Sequence, residues 1–290
     1  EAFWIQVRVL EWAGYPKIET LDDYFKVLED YAAANPTMED GTSNIPYTIL
    51  CEDWRYFCIE NAGQFLDGYP NDGSVIVDTD NMKIVDYNTT ETTKRYFNKL
   101  NEEYNKGMID PEFATQTYDE YIAKLSTGAV LGMCDQWWDF ANTVNDVFKQ
   151  QGLDAKGCNY VPLGLTIDPG MDQMWHTYGD TMNVSSGIAI TTSCQDVDAA
   201  FRFMNDLLDQ EIHDLRFWGV EGVDYQVDDN GLYYRTEEQR LQASDTAYKA
   251  SHICTYSYFP QWLGTSKDGI NAMQPGYQTS EFQSSLAEPL

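Results

Sequence analysis

Apolar positions along the chain follow two different periods, one typical of helices and one typical of strands. Spacings of three and four residues predict amphipathic helices at about 4–13, 20–34, 90–106, 117–126, 140–151, 196–217 and 236–250. Alternating or continuous apolar runs predict strands at about 45–50, 74–77, 83–87, 128–134 and 182–191, with strand and loop over 159–170. Helices that alternate with strands are typical of an α/β fold.

The first two predicted helices carry recognisable start and stop signals. Gly14, with Pro16 beyond it, is expected to end the first helix. Thr20 is placed to cap the second helix, whose first turn then contains Asp22 and Asp23 at the positive end of the helix dipole. The capping residues and the acidic first turn therefore predict the same helix bounds as the apolar periodicity.

The charge of the chain excludes two classes of partner. Its 290 residues include 47 acidic and 18 basic side chains, a net charge of −29. Such a field repels nucleic-acid phosphates and anionic membrane surfaces, so neither is expected as a partner. Because the acids are dispersed among plentiful aromatic residues, they are interpreted as the solvated shell of a folded protein.

The sequence predicts neither a membrane span nor a leader within these residues. No apolar run approaches the roughly 20 residues that cross a bilayer. The opening EAFWIQVRVL has no basic stretch before an apolar one, as a signal peptide would have. That opening favours a piece of a longer protein over a mature or cytosolic chain.

The cysteines and the acidic turns do not predict a metal site. Six cysteines, at 51, 58, 134, 158, 194 and 254, show no CxxC spacing and no His-rich partner segment. Buried free thiols are favoured over disulfides, which remain the alternative. The stretches 78–81 and 228–231 resemble parts of calcium loops but lack the glutamate that closes an EF-hand, so they are interpreted as turns. No metal or cofactor is predicted.

Three aromatic clusters beside polar side chains are the main functional signal. Trp54 follows strand 45–50, Trp137 and Trp138 follow strand 128–134, and Trp175 precedes strand 182–191. In open α/β sheets ligands bind beyond the carboxyl ends of strands, and an indole offers a flat apolar face to a sugar ring. The competing interpretation places these tryptophans in the core. The expected ligand-binding residues are Asp53, Trp54, Arg55, Asp135, Gln136, Trp137, Trp138, Trp175, His176 and Tyr178.

An enzyme is the competing class of function. Phosphate-loop, dinucleotide-binding, zincin and nucleophile-elbow motifs are absent, and three histidines give little material for a triad. Glycoside hydrolysis needs two carboxyls across a sugar, and the pairs Glu52–Asp53 and Asp135–Asp139 are candidates. A glycan-degrading enzyme and a cell-surface carbohydrate-adhesion protein therefore remain alternatives to a binding protein.

Four segments, 12–24, 96–113, 118–133 and 197–225, are informative through their order and spacing. Together they resemble the family 1 extracellular solute-binding proteins, which are related to the maltose-binding protein. Segment 12–24 is similar to the family's L-G-L-P-T-L-D-E-F entry, and 96–113 to its helix followed by G-x-I-x-P-E. Segment 118–133 is similar to the next helix and strand, and 197–225 to the helix that leads into G-I-E-G-x-D-Y. The resemblance spans nearly the whole chain.

The resemblance implies a periplasmic-binding-protein-like (type II) fold, in which two α/β lobes joined by a hinge hold a small ligand in their cleft. A sugar or oligosaccharide is the expected ligand. It implies that 1–158 and 235–290 form the second lobe, and that 159–234 is the returning part of an incomplete first lobe. Trp137 or Trp138 matches the family's sugar-stacking aromatic, and Trp54 a second aromatic of the cleft.

The same resemblance implies ligand capture without catalysis. It predicts an extracellular or periplasmic protein, with no cofactor, that delivers its ligand to the permease of an ABC importer. Family members reach the membrane through a lipid anchor on an opening cysteine, and this sequence lacks that part and the usual C-terminal helix. The chain is therefore expected to be truncated at both ends.

Overall fold

The first residues of the chain form the middle strand of a three-stranded sheet. Strand β1, Ala2–Gln6, pairs antiparallel with β4, Gly132–Asp135, on one side and with β5, Tyr160–Leu163, on the other. The computed structural model describes residues 1–62, 66–68, 75–78, 81–172, 187–244, 248, 251–252, 259–260 and 265–271.

Both faces of β1 are covered by aromatic side chains. On one face the ring of Phe3 meets the edge of Tyr24, with centroids 5.6 Å apart. On the other face Trp4 meets Phe140 in the same way, at 5.2 Å. A strand covered on both faces is apolar at every position instead of alternating. The predicted helix 4–13 is therefore wrong over its first residues.

Helix α1, Val7–Ala13, follows directly after the strand. It ends at Gly14, as predicted, because this residue adopts the left-handed conformation (φ +73°) that a glycine accommodates without strain. Its amide and that of Tyr15 donate to carbonyls in the last turn of the helix.

Three of the other helices in this part of the chain begin where a threonine caps them. Thr20 caps α2 and Thr117 caps α5, and each forms a capping box with the acidic residue three positions later. Thr90 caps α4. These bounds confirm the sequence predictions. The helices are α2 Leu21–Ala34, α3 Phe57–Glu60, α4 Glu91–Asn105, α5 Tyr118–Ser126 and α6 Trp137–Gln151.

The predicted strands vary in how regular they are. Strands β2, Val75–Asp78, and β3, Lys83–Asp86, correspond to two predicted short strands, and they pair antiparallel with each other. Segment 45–50 forms isolated parallel bridges instead of a continuous strand, pairing Ile45 with Val130 and Thr48 with Met133. Of the predicted strand 182–191, residues 187–191 are not a strand, and 182–186 lie outside the described residues.

By compactness the chain divides into two units, Glu1–Gly179 and Asp180–Leu290. The second unit contains α7 Val197–Asp206, α8 Gln210–Phe217, β6 Gln226–Val227, β7 Tyr233–Tyr234 and α9 Glu237–Ser244. The predicted division into lobes, 1–158 with 235–290 against 159–234, stays a prediction.

The single long helix predicted over 196–217 is wrong, since two helices occupy it. The chain turns at 207–209, and the carboxylate of Asp209 accepts the amide of Glu211 to start α8. Asp is a strong N-cap, so this residue favours a new helix over a continued one. Beyond α8, Trp218 packs edge-on against Tyr225 and Tyr233 in a small aromatic core.

Two expectations about small motifs are confirmed within the described residues. Cys51, Cys58, Cys134, Cys158 and Cys194 are free thiols; Cys254 lies outside the described residues. The stretch 228–231 is a turn in which the carboxylate of Asp228 accepts the amides of Asn230 and Leu232.

Candidate ligand-binding site

Two chain segments that carry predicted site residues meet at one edge of the sheet. Segment 45–48 runs parallel to the residues leading into β4. The chain therefore leaves both at the same edge, and residues 52–57 and 135–139 become neighbours there. This is the juxtaposition expected from the rule for strand ends.

Three aromatic rings at this edge form what we call the aromatic platform: Trp54, Phe57 and Trp138. The two indoles lie 15° from parallel with centroids 5.9 Å apart. Phe57 lies 5.8 Å from Trp54 and 6.0 Å from Trp138. Trp54 and Trp138 are 49% and 41% exposed, against 1% for the core residue Trp218. Exposed indoles provide a large, flat apolar area on a rigid ring.

Arg55 lies against the aromatic platform and is held by a carboxylate. Its Nε donates to Oδ1 of Asp139 at 3.1 Å. Its guanidinium lies over the ring of Tyr118, 3.8 Å from the centroid, and 4.5 Å from that of Trp54. Tyr118 in turn donates its hydroxyl to the backbone carbonyl of Asp139 at 2.6 Å. The platform therefore has a fixed cation and a fixed anion beside it.

Asp135 is fully buried beneath this edge. One of its oxygens accepts the hydroxyl of Tyr121 at 2.7 Å, and the other accepts the amide of Gln136 at 2.6 Å and the thiol of Cys58 at 3.3 Å. Burial, and next the charge of Asp139, raise the pKa of Asp135 to about 7. Burial also raises the pKa of Asp139, against the opposing effect of Arg55.

The remaining predicted residues of this edge differ in what they face. Trp137 is half-buried and packs against the core, so Trp138 is the outward-facing member of the pair. The side-chain amide of Gln136 donates to the carboxylate of Glu1 at 3.0 Å. Asp53 is exposed and has a left-handed backbone (φ +51°). Glu52 accepts the amide of Tyr118 at 2.6 Å, which ties the loop to α5.

The third predicted cluster, Trp175, His176 and Tyr178, lies outside the described residues. The structure therefore brings together the residues of two clusters. It also adds three that sequence reasoning did not select for the site: Phe57, Tyr118 and Tyr121. Each falls within an ordinary apolar pattern, and only the tertiary contact distinguishes it.

The geometry does not favour glycoside hydrolysis by Asp135 and Asp139. A hydrolase needs both carboxyls on the sugar, whereas Asp135 has no exposed surface and both of its oxygens accept internal hydrogen bonds. The arrangement is suited to holding a ligand: flat apolar rings, with an arginine and carboxylates beside them.

No protein-family model and no curated protein matches the chain. Solved structures do match it. One is an HMO-binding, ABC-transporter-associated solute-binding protein from Bifidobacterium longum infantis ATCC 15697, with a TM-score of 0.58 and 17% identity over 99% of this chain and 58% of that one. The fold is that of the ABC-transporter solute-binding proteins.

Two further structures agree with this. The S. pneumoniae ABC-transporter substrate-binding protein FusA in complex with kestose has a TM-score of 0.54 and 18% identity, covering 81% of this chain and 46% of FusA. The alginate-binding protein AlgQ2 has a TM-score of 0.54 and 14% identity, covering 98% of this chain and 55% of AlgQ2. The predicted α/β fold of the two-lobed binding proteins is confirmed, and the chain spans about half the length of these structures.

Among the residues that the structure describes, none of the helices has the length and apolar character needed to cross a membrane.

Proposed function

We propose that the chain forms the sugar-binding part of an extracellular solute-binding protein, which captures an oligosaccharide and delivers it to an ABC importer without chemical change. The observation that supports this most directly is the exposed pair of near-parallel indoles, Trp54 and Trp138, with Arg55 fixed beside them.

Each part of the site has a role in sugar recognition. The apolar C–H face of a pyranose or furanose ring would pack on the aromatic platform, which removes both surfaces from water. Arg55 has five N–H donors, and its ion pair with Asp139 uses Nε. Its terminal nitrogens would donate to sugar hydroxyls, and the exposed carboxylate of Asp53 would accept from them.

The fold neighbours support a proposal for the partner and the compartment. The neighbours are proteins of ABC transporters, so we propose that the ligand-bound protein docks on the transmembrane subunits of such a transporter. Delivery into a cell by this route places the binding protein outside it, at the cell surface or in the periplasm.

The test is a thermal-shift and calorimetry screen of the 290-residue chain against fructo-, malto-, xylo- and chito-oligosaccharides and their monosaccharides. A ligand at a hundredfold excess over its Kd stabilises the folded state by about 2.7 kcal/mol. We expect one oligosaccharide class to raise the melting temperature, with binding weakened in Trp138→Ala and Trp54→Ala.

Chromatography of the same mixtures separates binding from catalysis. Unchanged oligosaccharide after prolonged incubation supports capture, whereas shortened products would favour the glycan-degrading alternative. Binding that is insensitive to both tryptophan substitutions would contradict the proposed site.

A further inference from the structure

Three side chains with metal-binding atoms converge beneath the aromatic platform. Cys58, Asp135 and Asp139 each contribute one such atom, and all three atoms lie within 4.8 Å of one another. The residues are almost fully buried, at 1%, 0% and 5% exposure. They come from the start of α3, the end of β4 and the first turn of α6, so the fold brings them together from separate segments.

One oxygen in this cluster has no partner among the described residues. Asp139 uses Oδ1 to accept from Arg55, while its Oδ2 is buried and accepts no hydrogen bond. A buried carboxylate oxygen without a donor costs free energy comparable to a lost charged hydrogen bond. The unused oxygen is therefore available to a cation while Arg55 keeps its own contact.

The net charge at the cluster is negative, which favours the binding of a cation. The carboxylates of Asp135 and Asp139, together with the guanidinium of Arg55, give a net charge of −1 in a buried environment. A divalent cation bound to the same carboxylates and to the thiolate of Cys58 would bring this total to zero. Buried charge is tolerated when it is neutralised or coordinates a metal.

We propose that Cys58, Asp135 and Asp139 form a binding site for a divalent cation of borderline softness, with Zn²⁺ as the preferred ion. Cys and Asp side chains are both zinc ligands, at about 2.3 Å for sulfur and about 2.0–2.2 Å for oxygen. Hard cations such as Ca²⁺ and Mg²⁺ take oxygen ligands in larger number, so the thiol disfavours them. Water would complete the tetrahedral coordination.

Binding involves no oxidation or reduction. The S–H bond of Cys58 breaks, its proton goes to solvent, and the sulfur lone pair forms the bond to the metal. Zinc bonds of these lengths in a tetrahedral site put the ligand atoms about 3.4–3.6 Å apart. Atoms that lie within 4.8 Å of one another therefore need to close by about 1.4 Å at most.

The proposed ion would also connect the two halves of the aromatic platform. Cys58 directly follows Phe57, and Asp139 directly follows Trp138. A metal bonded to both would fix the loop that carries Trp54 and Phe57 against the helix that carries Trp138. This proposal concerns a metal site and does not depend on the proposed function in sugar capture.

The experiment is isothermal calorimetry of the 290-residue chain, stripped with EDTA, against Zn²⁺, Mg²⁺ and Ca²⁺ separately. Co²⁺ is titrated in parallel, because its absorption reports both tetrahedral geometry and a cobalt–thiolate bond. The variants are Cys58→Ser and Asp139→Asn. The matched control is Cys158→Ser, which removes a thiol that is also buried but lies near the cations Arg8 and Lys156.

We expect one Zn²⁺ per chain, bound at least tenfold more weakly by Cys58→Ser and Asp139→Asn and unchanged by Cys158→Ser. The thiolate band of Co²⁺ should vanish only in Cys58→Ser. If Asp139→Asn does not fold, the Zn²⁺ affinity of Cys58→Ser alone tests the proposal. This variant is expected to fold, since a serine hydroxyl keeps the hydrogen bond to Asp135. The proposal is overturned if the chain binds no Zn²⁺, or if Cys58→Ser binds it as tightly as the unchanged chain.

Discussion

The indoles of Trp54 and Trp138 lie 15° from parallel with centroids 5.9 Å apart, although one follows segment 45–50 and the other follows β4. Their proximity results from the parallel pairing of those two segments, Ile45 with Val130 and Thr48 with Met133. A feature of the backbone thus creates the aromatic surface on which the proposed function depends.

Trp138→Ala should weaken binding of the selected oligosaccharide by at least tenfold, which corresponds to about 1.4 kcal/mol. Removing the indole takes away the apolar surface on which the ring would pack, while the residue's 41% exposure limits the cost to folding. Calorimetry measures the affinity, and urea unfolding measures the stability.

Trp12→Ala is the matched control for Trp138→Ala. Trp12 is 48% exposed and lies in α1, beyond the other end of β1 from the site. Its replacement should leave the affinity unchanged. Equal losses of affinity in the two variants would show that the effect is not specific to the aromatic platform.

The ion pair of Arg55 and Asp139 should be strongly coupled. Asp139 is 5% exposed, so Arg55→Ala leaves a buried charge unpaired, and we expect a loss of about 3 kcal/mol in the free energy of unfolding. A double-mutant cycle with Asp139→Asn, followed by urea denaturation in EDTA, should give a coupling energy of about 1–2 kcal/mol.

The pair of Arg95 and Asp168 is the control for this cycle. Its two hydrogen bonds of 2.9 Å have good geometry, but the side chains are 47% and 56% exposed. Exposed pairs contribute about 0–1 kcal/mol because water screens them. A coupling at Arg95–Asp168 as large as that at Arg55–Asp139 would contradict burial as the cause.

Local signals were sufficient to predict most of the helices. The cap at Thr20 is predictable because a cap needs only residues within three positions of it. The predicted starts near 90 and 117 likewise agree with the caps at Thr90 and Thr117. The rule that ligands bind beyond the ends of strands likewise selects residues 53–55 and 135–138 from the sequence.

Features that depend on distant contacts were not predictable from the sequence. Trp4 and Ile5 fit helical spacing with Val9 and Leu10, and only the two flanking strands place them in a strand. In the same way, Tyr118 appears as one more apolar position of α5. Its ring contacts Arg55 only because the loop that carries Arg55 lies against α5. That loop is more than 60 residues earlier in the chain, and the hydrogen bond that ties it to α5 joins residues 66 positions apart, Glu52 and Tyr118.

Gly132→Ala should destabilise the sheet by about 2–4 kcal/mol, because there is no room for a methyl group. A Cβ at this position would overlap the hydroxyl of Tyr24 and lie 3.0 Å from the carbonyl oxygen of Trp4. That hydroxyl also donates to the same carbonyl at 2.7 Å. Thermal and urea unfolding would measure the loss.

Tyr24→Phe provides the test of this mechanism. Removing the hydroxyl relieves the worst overlap, so Gly132→Ala should cost less in the Tyr24→Phe background than in the unchanged chain. An equal cost in both backgrounds would show that the strain arises elsewhere, for example against the carbonyl of Trp4.

His213 should make the stability of the second unit depend on pH. The residue is 1% exposed, and its ring packs on Phe217 with centroids 4.8 Å apart. Burial, and next the charge of Arg216, lower its pKa from 6.5 to about 4. The folded state therefore binds a proton less readily than the unfolded state.

The direction of the effect follows from linkage between protonation and folding. Above pH 6.5 neither state is protonated at this residue, so stability does not depend on it. As the pH falls from about 6.5 to about 4, only the unfolded state takes up the proton, and stability decreases by about 1–3 kcal/mol. Below about 4 both states are protonated and the loss is complete.

The measurement compares the unfolding free energies of the unchanged chain and His213→Gln between pH 7.5 and 5. The difference between the two removes the contribution of the carboxylates, which titrate in both chains. Acidification should destabilise the unchanged chain more than the variant. NMR titration of the imidazole, assigned by its loss in His213→Gln, gives the pKa directly. A native-state midpoint near 6.5 would show that the buried ring accepts a proton as easily as a solvated one, and the two stability curves would then run parallel.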